Sequence, residues 1–372
     1  MSFDPQNMFV WVLAPMNASD DANVQYYNDY SQSIGEYTRV FDGMGAEWKW
    51  LPVWMNGIGE AIATILNHTP AGYTPLALNL CDGDEVNGTP GISVIRALRE
   101  AGITTTGADE YYYAATTSKA PMKTCFDEHG VTTPPWRHVM NADDAATLLH
   151  DLGAPLILKP AVSGGSMGLG VKNVVEHQED CAAVMQAIAE GYHGWKLDID
   201  GVIAERFIAG REYTTLVVTS PSGNPHYHHA VERVFHPSLA PAEQFLSFDR
   251  LWETYDEEQP MSNGEFVFEY APVAADIDAR CAALSIAAYN AVGGTGYGRI
   301  DIRHDTETDT LYVLEVNAQC GLSEDENYTS IGAILRYAGV PYASLIRAIL
   351  DEAVARHTTL YAPSAHDSYT AA

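Results

Sequence analysis

Two short runs in the last quarter of the chain carry acids at strand spacing. In Arg299-Ile300-Asp301-Ile302-Arg303, charged and apolar residues alternate, which predicts a strand with Arg299, Asp301 and Arg303 on one face and the isoleucines on the other. In Leu311 to Asn317, the same spacing puts Leu311, Val313, Glu315 and Asn317 on one face and Tyr312, Leu314 and Val316 on the opposite one. The polar run His304 to Thr310 supplies a turn, and in the resulting hairpin Asp301 falls nearly opposite Glu315. Opposed like charges destabilise a sheet unless something cationic lies between them. Magnesium favours oxygen ligands, commonly takes one or two carboxylates, and fills its shell with water and substrate phosphates, so Asp301, Glu315 and the Asn317 amide oxygen suit it. A solvated sheet face bearing ordinary acids is the alternative that this pattern alone leaves open.

A second candidate lies upstream. Only six lysines occur (Lys49, Lys119, Lys123, Lys159, Lys172, Lys196), and Lys159 closes the apolar strand Leu156-Ile157-Leu158 just before Pro160. A lysine on such a strand needs a partner, because burying an unpaired ammonium is costly. The loop Ala161 to Gly170 follows, with four glycines and two serines, among them Gly165 and Ser166. Glycines let a backbone wrap an anion so that its N–H groups face phosphate oxygens, and a neighbouring lysine adds charge. It is not a Walker loop, since no Gly-Lys-Ser/Thr follows. Without the lysine, a flexible turn would explain the glycines equally well.

The elements that must position these residues belong to a chain of 372 residues, 47% hydrophobic, enough for a large core and roughly two or three domains. The formal charge of −29, from 49 acids against 20 bases, argues against nucleic acid or an anionic membrane as the main partner. Five cysteines lie far apart without a CxxC pair, so neither a disulfide framework nor a zinc site is expected and a reducing compartment fits best. Met1 to Asn7 is polar and Met8 to Leu13 only a strand's length, so no signal peptide is expected, no apolar run reaches a membrane span, and the setting expected is cytoplasmic.

Strands are predicted at Phe9–Leu13, Glu47–Val53 and Leu76–Leu80, with helices at Asn28–Met44, Gly57–Leu66 and Gly91–Ala101 between and after them, which implies a parallel sheet. Ligands gather beyond the carboxyl ends of such strands, where Asp82-Gly83-Asp84-Glu85 stands; an acidic turn is the equal alternative. Further on come the helices Pro121–His129 and Asp143–Asp151, then the strands Leu156–Lys159, Gly201–Ala204 and Thr215–Val218. His226 to Pro260 is aromatic, rich in histidine and poorly periodic, and reads as a long loop or lid; its histidines read as ordinary polar residues.

Taken together, these pieces resemble the ATP-grasp superfamily, in the branch of the D-alanine:D-alanine ligases. The resemblance runs from about residue 76 to 350 and rests on Thr117-Ser118-Lys119, on Leu158-Lys159-Pro160 with its glycine-rich loop, and on Glu205-Arg206-Phe207-Ile208 with Gly210-Arg211-Glu212. Gly296-Tyr297-Gly298-Arg299-Ile300-Asp301 and Leu314-Glu315-Val316-Asn317 with Cys320-Gly321 complete it. It implies an α/β ATP-grasp fold of three lobes: an N-terminal parallel α/β substrate domain (1–115), a central nucleotide lobe (116–212) and a C-terminal catalytic lobe (213–361), with a disordered tail (362–372). By the same resemblance Lys119 and Lys159 would hold ATP phosphates, and the loop with Gly165 and Ser166 would close over them. Glu205, Phe207 and Ile208 would line the adenine site, Glu212 would take the ribose hydroxyls, Asp301, Glu315 and Asn317 would bind Mg2+, and Arg299 would steady the reacting oxyanion. The implied chemistry is attack of a carboxylate on the γ-phosphate, giving an acyl phosphate, followed by an amine that forms an amide or imine-type C–N bond. A nucleotide-binding regulatory module and a carboxylate kinase are the alternatives. The partners expected are small carboxylate and amine substrates, with neither nucleic acid nor membrane, and a homodimer is compatible with the chain.

Two departures bear on the substrates. The ligases of that branch carry near the N-terminus a glycine-rich turn whose glutamate grips the first D-alanine's ammonium, whereas this chain reads Leu13-Ala14-Pro15-Met16-Asn17. Where they place a serine against the acceptor carboxylate, it reads Ser323-Glu324-Asp325-Glu326, and acids there would repel a carboxylate. D-Alanyl-D-alanine is therefore not the expected product. Ser323 and Glu326 also have capping-box spacing ahead of a helix expected at Tyr328–Ala338.

Overall fold

The computed structural model describes residues 2–18, 28–141, 143–253, 255, 258–325 and 329–360. The tail expected to be disordered and Glu326 lie outside the described residues.

Three sheets follow one another along the chain. The first comprises β1 (Met8–Met16), β2 (Trp48–Trp54), β3 (Thr74–Asn79) and β4 (Thr104–Thr105) in the order β2-β1-β3-β4, every pair parallel. Helices Ser31–Met44, Ile58–His68 and Ile92–Glu100 make the crossovers. Phe9 to Ala14 on β1 is buried throughout, as a strand covered on both faces must be, which is why it reads as an unbroken apolar run. The second sheet is antiparallel: β5 (Trp136–Val139), β6 (Leu156–Pro160), β7 (Val174–Val175) and β8 (Val202–Arg206), ordered β5-β8-β6-β7. The third, also antiparallel, has β9 (Arg211–Thr219), β10 (Pro225–Phe235), β11 (Phe268–Pro272), β12 (Tyr297–Asp305) and β13 (Thr310–Ala318), ordered β11-β10-β9-β12-β13.

The first and third sheets share one core. Val10, Val12, Leu76 and Leu78 pack with Leu216, Val218, Tyr297 and the apolar faces of helices Ser330–Ala338 and Tyr342–Leu360. That bent helix pair is apolar because it fills this core; among the described residues no single helix is long and apolar enough to cross a membrane. The second sheet has a separate core around Leu156, Leu158, Val202 and Ala204. All five cysteines are free thiols, four of them buried.

Four expectations need correction. The segment His226 to Pro260 is not one long loop, since its first ten residues belong to β10, paired on both sides. A bulge between His228 and Val231 breaks the two-residue period, and the alternation that marks a strand in sequence is lost with it. The second hairpin strand also carries a bulge, because Asp301 pairs with Glu315 while the next residue, Ile302, pairs with Val313. Leu314 is the extra residue, so Leu311 and Val313 share the core face with Val316, and Glu315 and Asn317 share the other face with Tyr312. The helix expected over Asp143–Asp151 is a 3-10 turn, Asp144–Thr147, running into a short helix, Leu148–Leu152. Lastly, the cap of helix Ser330–Ala338 is Thr329, whose hydroxyl accepts from the Gly332 N–H at 3.1 Å; Ser323 instead donates to Glu36 at 2.8 Å.

Candidate active site

β12 sits between β9 and β13, and its register puts Arg299 opposite Asn317 and Asp301 opposite Glu315. The Asn317 amide nitrogen lies 3.1 Å from Asp301 Oδ2 and 3.4 Å from Glu315 Oε1, so the three expected metal ligands do converge. Arg299 reaches along its own strand to Asp301 at 2.9 Å, and the Thr214 hydroxyl donates to the same carboxylate at 3.0 Å. Burial disfavours the Arg299 charge, but Asp301 more than restores it and raises its pKa. On the far side, Lys119 Nζ is 3.8 Å from Glu315 Oε2. The hairpin therefore opposes two carboxylates and flanks them with two cations.

The donor set fits magnesium: two carboxylates and an amide, all hard oxygen donors once the Asn317 amide turns its oxygen inward. Among the described residues no three His, Cys, Asp or Glu side chains converge on one point.

Lys119 ties the hairpin to the glycine-rich loop. It is the first residue of helix Lys119–Glu128, its N–H donates to Ala161 O at 2.8 Å, and its ammonium donates to Ser163 O at 3.1 Å. Burial lowers its pKa, with Glu315 opposing. Within the loop, Ser166 has a positive φ of 58° and donates to Leu246 O at 2.8 Å, while Trp252 Nε1 donates to Gly165 O at 2.9 Å. The segment carrying Leu246 and Trp252 thus lies across the loop as a latch.

Lys159 is paired, as its strand position required: its ammonium is bonded to Glu205 of β8, diagonally across the register in which Lys159 faces Ile203 and Glu205 faces Ile157. The other Glu205 oxygen lies 2.9 Å from Lys123 Nζ. Burial would raise the Glu205 carboxyl, but Lys123 and Lys159 outweigh it and hold the carboxyl at about 2. The Lys123 pKa is lowered as well, by burial that Glu205 only partly offsets, because one carboxylate serves two ammoniums. Lys123 also donates to the Thr133 hydroxyl at 2.6 Å, which donates to Val313 O at 2.9 Å, so the triad is bonded through to the hairpin.

Beside it lies a packed apolar cluster of Ile157, Phe207 and Phe245, flanked by Leu169 and Val174, with Ile208 buried next in the chain. Arg303 stacks over Phe207 with 5.8 Å to the ring centroid and sits 2.8 Å from Glu212, which Arg233 also holds. Glu212 is thus a buried carboxylate gripped by two guanidiniums. A carboxylate has about four lone-pair sites, so this leaves capacity for further donors.

Sequence reasoning missed Lys123, Arg233, Arg303, Phe245 and Trp252. Lys123 had a signal, being a scarce lysine one helical turn beyond Lys119, and Arg303 shares a strand face with Arg299 and Asp301. Phe245 and Trp252 lie in an aperiodic stretch and had none. Glu324 pairs with Arg39 of helix Ser31–Met44, and Asp325 accepts from Gln32 at 3.3 Å.

A family model, D-ala D-ala ligase C-terminus, matches residues 126–351. The chain belongs to that family. It is an ATP-grasp ligase of the D-alanine–D-alanine ligase type. It is 29% identical over 250 residues to a D-alanine–D-alanine ligase of Ralstonia pickettii, covering 67% of each chain. With the ligase of Bordetella petrii it shares 29% over 262 residues, 70% of this chain and 71% of that one. Among solved structures, the D-alanine–D-alanine ligase of Bacillus anthracis complexed with ATP superposes with a TM-score of 0.65 at 16% identity, covering 95% of this chain and 99% of that one. The Coxiella burnetii ligase gives 0.65 at 14%, covering 95% and 97%, so the ATP-grasp fold spans nearly the whole chain.

Proposed function

We propose that this ligase joins a carboxylate to an amine through an acyl phosphate, with an amino acid or amino-acid-like metabolite on at least one side and a product other than D-alanyl-D-alanine. The observation that carries the chemistry is the convergence of Asp301, Glu315 and Asn317 between Arg299 and Lys119. Such a site supplies positioning and charge neutralisation and no nucleophile, which is what phosphoryl transfer to a substrate carboxylate needs. Cys320, the thiol nearest it in sequence, is pushed up to about 12 by burial and stays protonated.

Each residue then has a task. Lys119, Lys159 and the loop with Gly165 and Ser166 hold the ATP phosphates. Phe207 and Ile208, with Glu205, line the adenine site, and Glu212 takes the ribose hydroxyls while Arg233 and Arg303 fix its orientation. Asp301, Glu315 and Asn317 hold Mg2+, which when bound neutralises charge on the phosphate oxygens. Arg299 steadies the oxyanion. The lobes divide near residues 115 and 212.

The substrate reading leans on the N-terminal lobe. Asn17, where a gripping carboxylate would be expected in the D-alanine ligases, is a neutral amide engaged with Asn87 O at 2.7 Å and the Thr89 hydroxyl at 2.9 Å. D-Alanyl-D-alanine synthesis is the second reading, favoured by what the relatives are named. Incubation with Mg2+, ATP and a panel of amino acids, dipeptides and amino-bearing metabolites separates them: ADP release is expected with particular pairs and little with D-alanine alone. Robust D-alanyl-D-alanine formation would overturn the substrate reading.

The glycine-rich loop offers a second test. If ATP draws Ser166 and Gly165 away from Leu246 and Trp252, amide exchange over Ser163–Gly170 slows on adding Mg2+ and a non-hydrolysable ATP analogue. Unchanged exchange in both states would remove the loop from the phosphate site.

A further inference from the structure

Helix Lys119–Glu128 carries two lysines one turn apart, and the structure uses them differently. Lys119 reaches the glycine-rich loop and Glu315. Lys123 points between the second sheet and the hairpin, with its ammonium 2.9 Å from Glu205 on β8 and donating to the Thr133 hydroxyl at 2.6 Å. Thr133 donates to Val313 O at 2.9 Å, and the Val313 N–H donates to Thr132 O at 2.8 Å, so Lys123 is anchored to the strand that carries Glu315. The Lys123 side chain is 1% exposed and that of Glu205 2%. At that depth Lys123 has no face left for a ligand.

Lys159 is held more loosely. Its side chain is 14% exposed, and among the described residues Glu205 is its one ion-pair partner. The contact is diagonal: Glu205 faces Ile157, two residues further along β6 from the glycine-rich loop than Lys159 itself. Lys159 therefore leans back along its strand, away from the loop that begins at Ala161. Its stem is a flexible chain of four carbons, so a change of rotamer carries the ammonium to the loop side with no movement of the backbone.

Such a swing is costly if it strands Glu205, because a buried carboxylate that loses its only cation is strongly unfavourable. Lys123 removes that cost. The triad sets two ammoniums on one carboxylate, so the pair that remains when Lys159 leaves is still neutral, and the repulsion between the two ammoniums is relieved. For stability alone the second ammonium in so buried a cluster is a burden; for an exchange of partners it is what is needed. We propose that Lys123 is a positioning residue that keeps Glu205 neutralised and in place, so that Lys159 can exchange Glu205 for an ATP phosphate. That Lys159 takes a phosphate rests on the nucleotide assignment above. The role of Lys123 is an addition to it, since Lys123 itself touches no phosphate.

The test compares two probes, AMP-PNP with Mg2+ and adenosine, which has no phosphate, each titrated against the full chain by ligand-observed NMR. Lys123→Gln keeps a hydrogen-bond donor and loses the charge, whereas Lys123→Arg keeps the charge. Lys123→Gln should weaken AMP-PNP binding about 10- to 100-fold and leave adenosine binding at the wild-type level, and Lys123→Arg should recover part of the loss. A residue needed only for packing would weaken both probes alike or neither. Equal losses for the two probes, unchanged AMP-PNP binding, or no recovery by Lys123→Arg would each overturn the proposal. The wild type gives a second readout that does not depend on whether a variant folds. With only six lysines in the chain, labelling their ε-carbons with carbon-13 gives six signals, and AMP-PNP should shift that of Lys159 more than that of Lys123. The reverse order would contradict the exchange. Failure of the nucleotide assignment looks different: the wild type would bind AMP-PNP no more tightly than adenosine, and this proposal would fall with it.

Discussion

Glu315→Gln and Asp301→Asn are each expected to lower Mg2+-dependent turnover by about 100- to 1,000-fold or more, because each removes a charge aimed at the transferring phosphoryl group. The two differ in their effect on the fold. Glu315 pairs only loosely with Lys119, at 3.8 Å, so Glu315→Gln should unfold like the wild type. Asp301 is the partner of Arg299 and accepts from Thr214, so Asp301→Asn should also cost about 1–3 kcal/mol by leaving a half-buried guanidinium under-satisfied. Turnover assays alongside urea unfolding separate the two effects. Normal activity in either variant would remove the metal assignment.

The largest stability effects are expected in the triad of Lys123, Glu205 and Lys159, where Lys123 is 1% exposed. Lys123→Met should destabilise the fold by about 3 kcal/mol, the lower end for breaking a buried pair, because Lys159 still holds Glu205. Glu205→Gln should cost more, since it strands two ammoniums. The acid limb of the stability profile should change as well. In the wild type the Glu205 contribution is complete above its ordinary carboxyl range, near 4.5, and is lost as pH falls toward about 2. Without Lys123 the folded pKa rises, the contribution shrinks, and its loss is complete at a higher pH. Urea unfolding between pH 2 and 7 measures both; a Lys123→Met penalty larger than that of Glu205→Gln would contradict the triad.

These two sites also show what was legible in the sequence. The hairpin was, because Arg299 to Arg303 alternates cleanly and Asp301 does pair with Glu315. Its facing was only half legible: the extra residue at Leu314 reverses which side Leu311 and Val313 occupy, and a bulge leaves no mark in a two-residue period. β10 was hidden for the same reason, with a bulge amid four histidines that look like loop. That Lys159 needs a partner followed from its apolar strand, but Glu205 as that partner depends on β6 pairing with β8 across a long intervening segment. Nothing local to Glu324 and Asp325 shows Arg39 and Gln32, nearly 300 residues earlier, arriving beside them. The same holds for the latch from Leu246 and Trp252, whose contacts with Ser166 and Gly165 are wholly tertiary.

The central claim is that a substrate carboxylate is phosphorylated and then displaced by an amine. The most direct measurement uses the substrate pair that gives the fastest ADP release, with the carboxylate component labelled with oxygen-18 in both carboxyl oxygens. Attack on the γ-phosphate forms a carboxylate O–P bond, and aminolysis then breaks the C–O bond, so one labelled oxygen leaves with phosphate and one stays in the product carbonyl. Mass spectrometry should find one oxygen-18 in each inorganic phosphate and one in each amide. Unlabelled phosphate, or ADP release that no carboxylate and amine pair stimulates, would contradict the account.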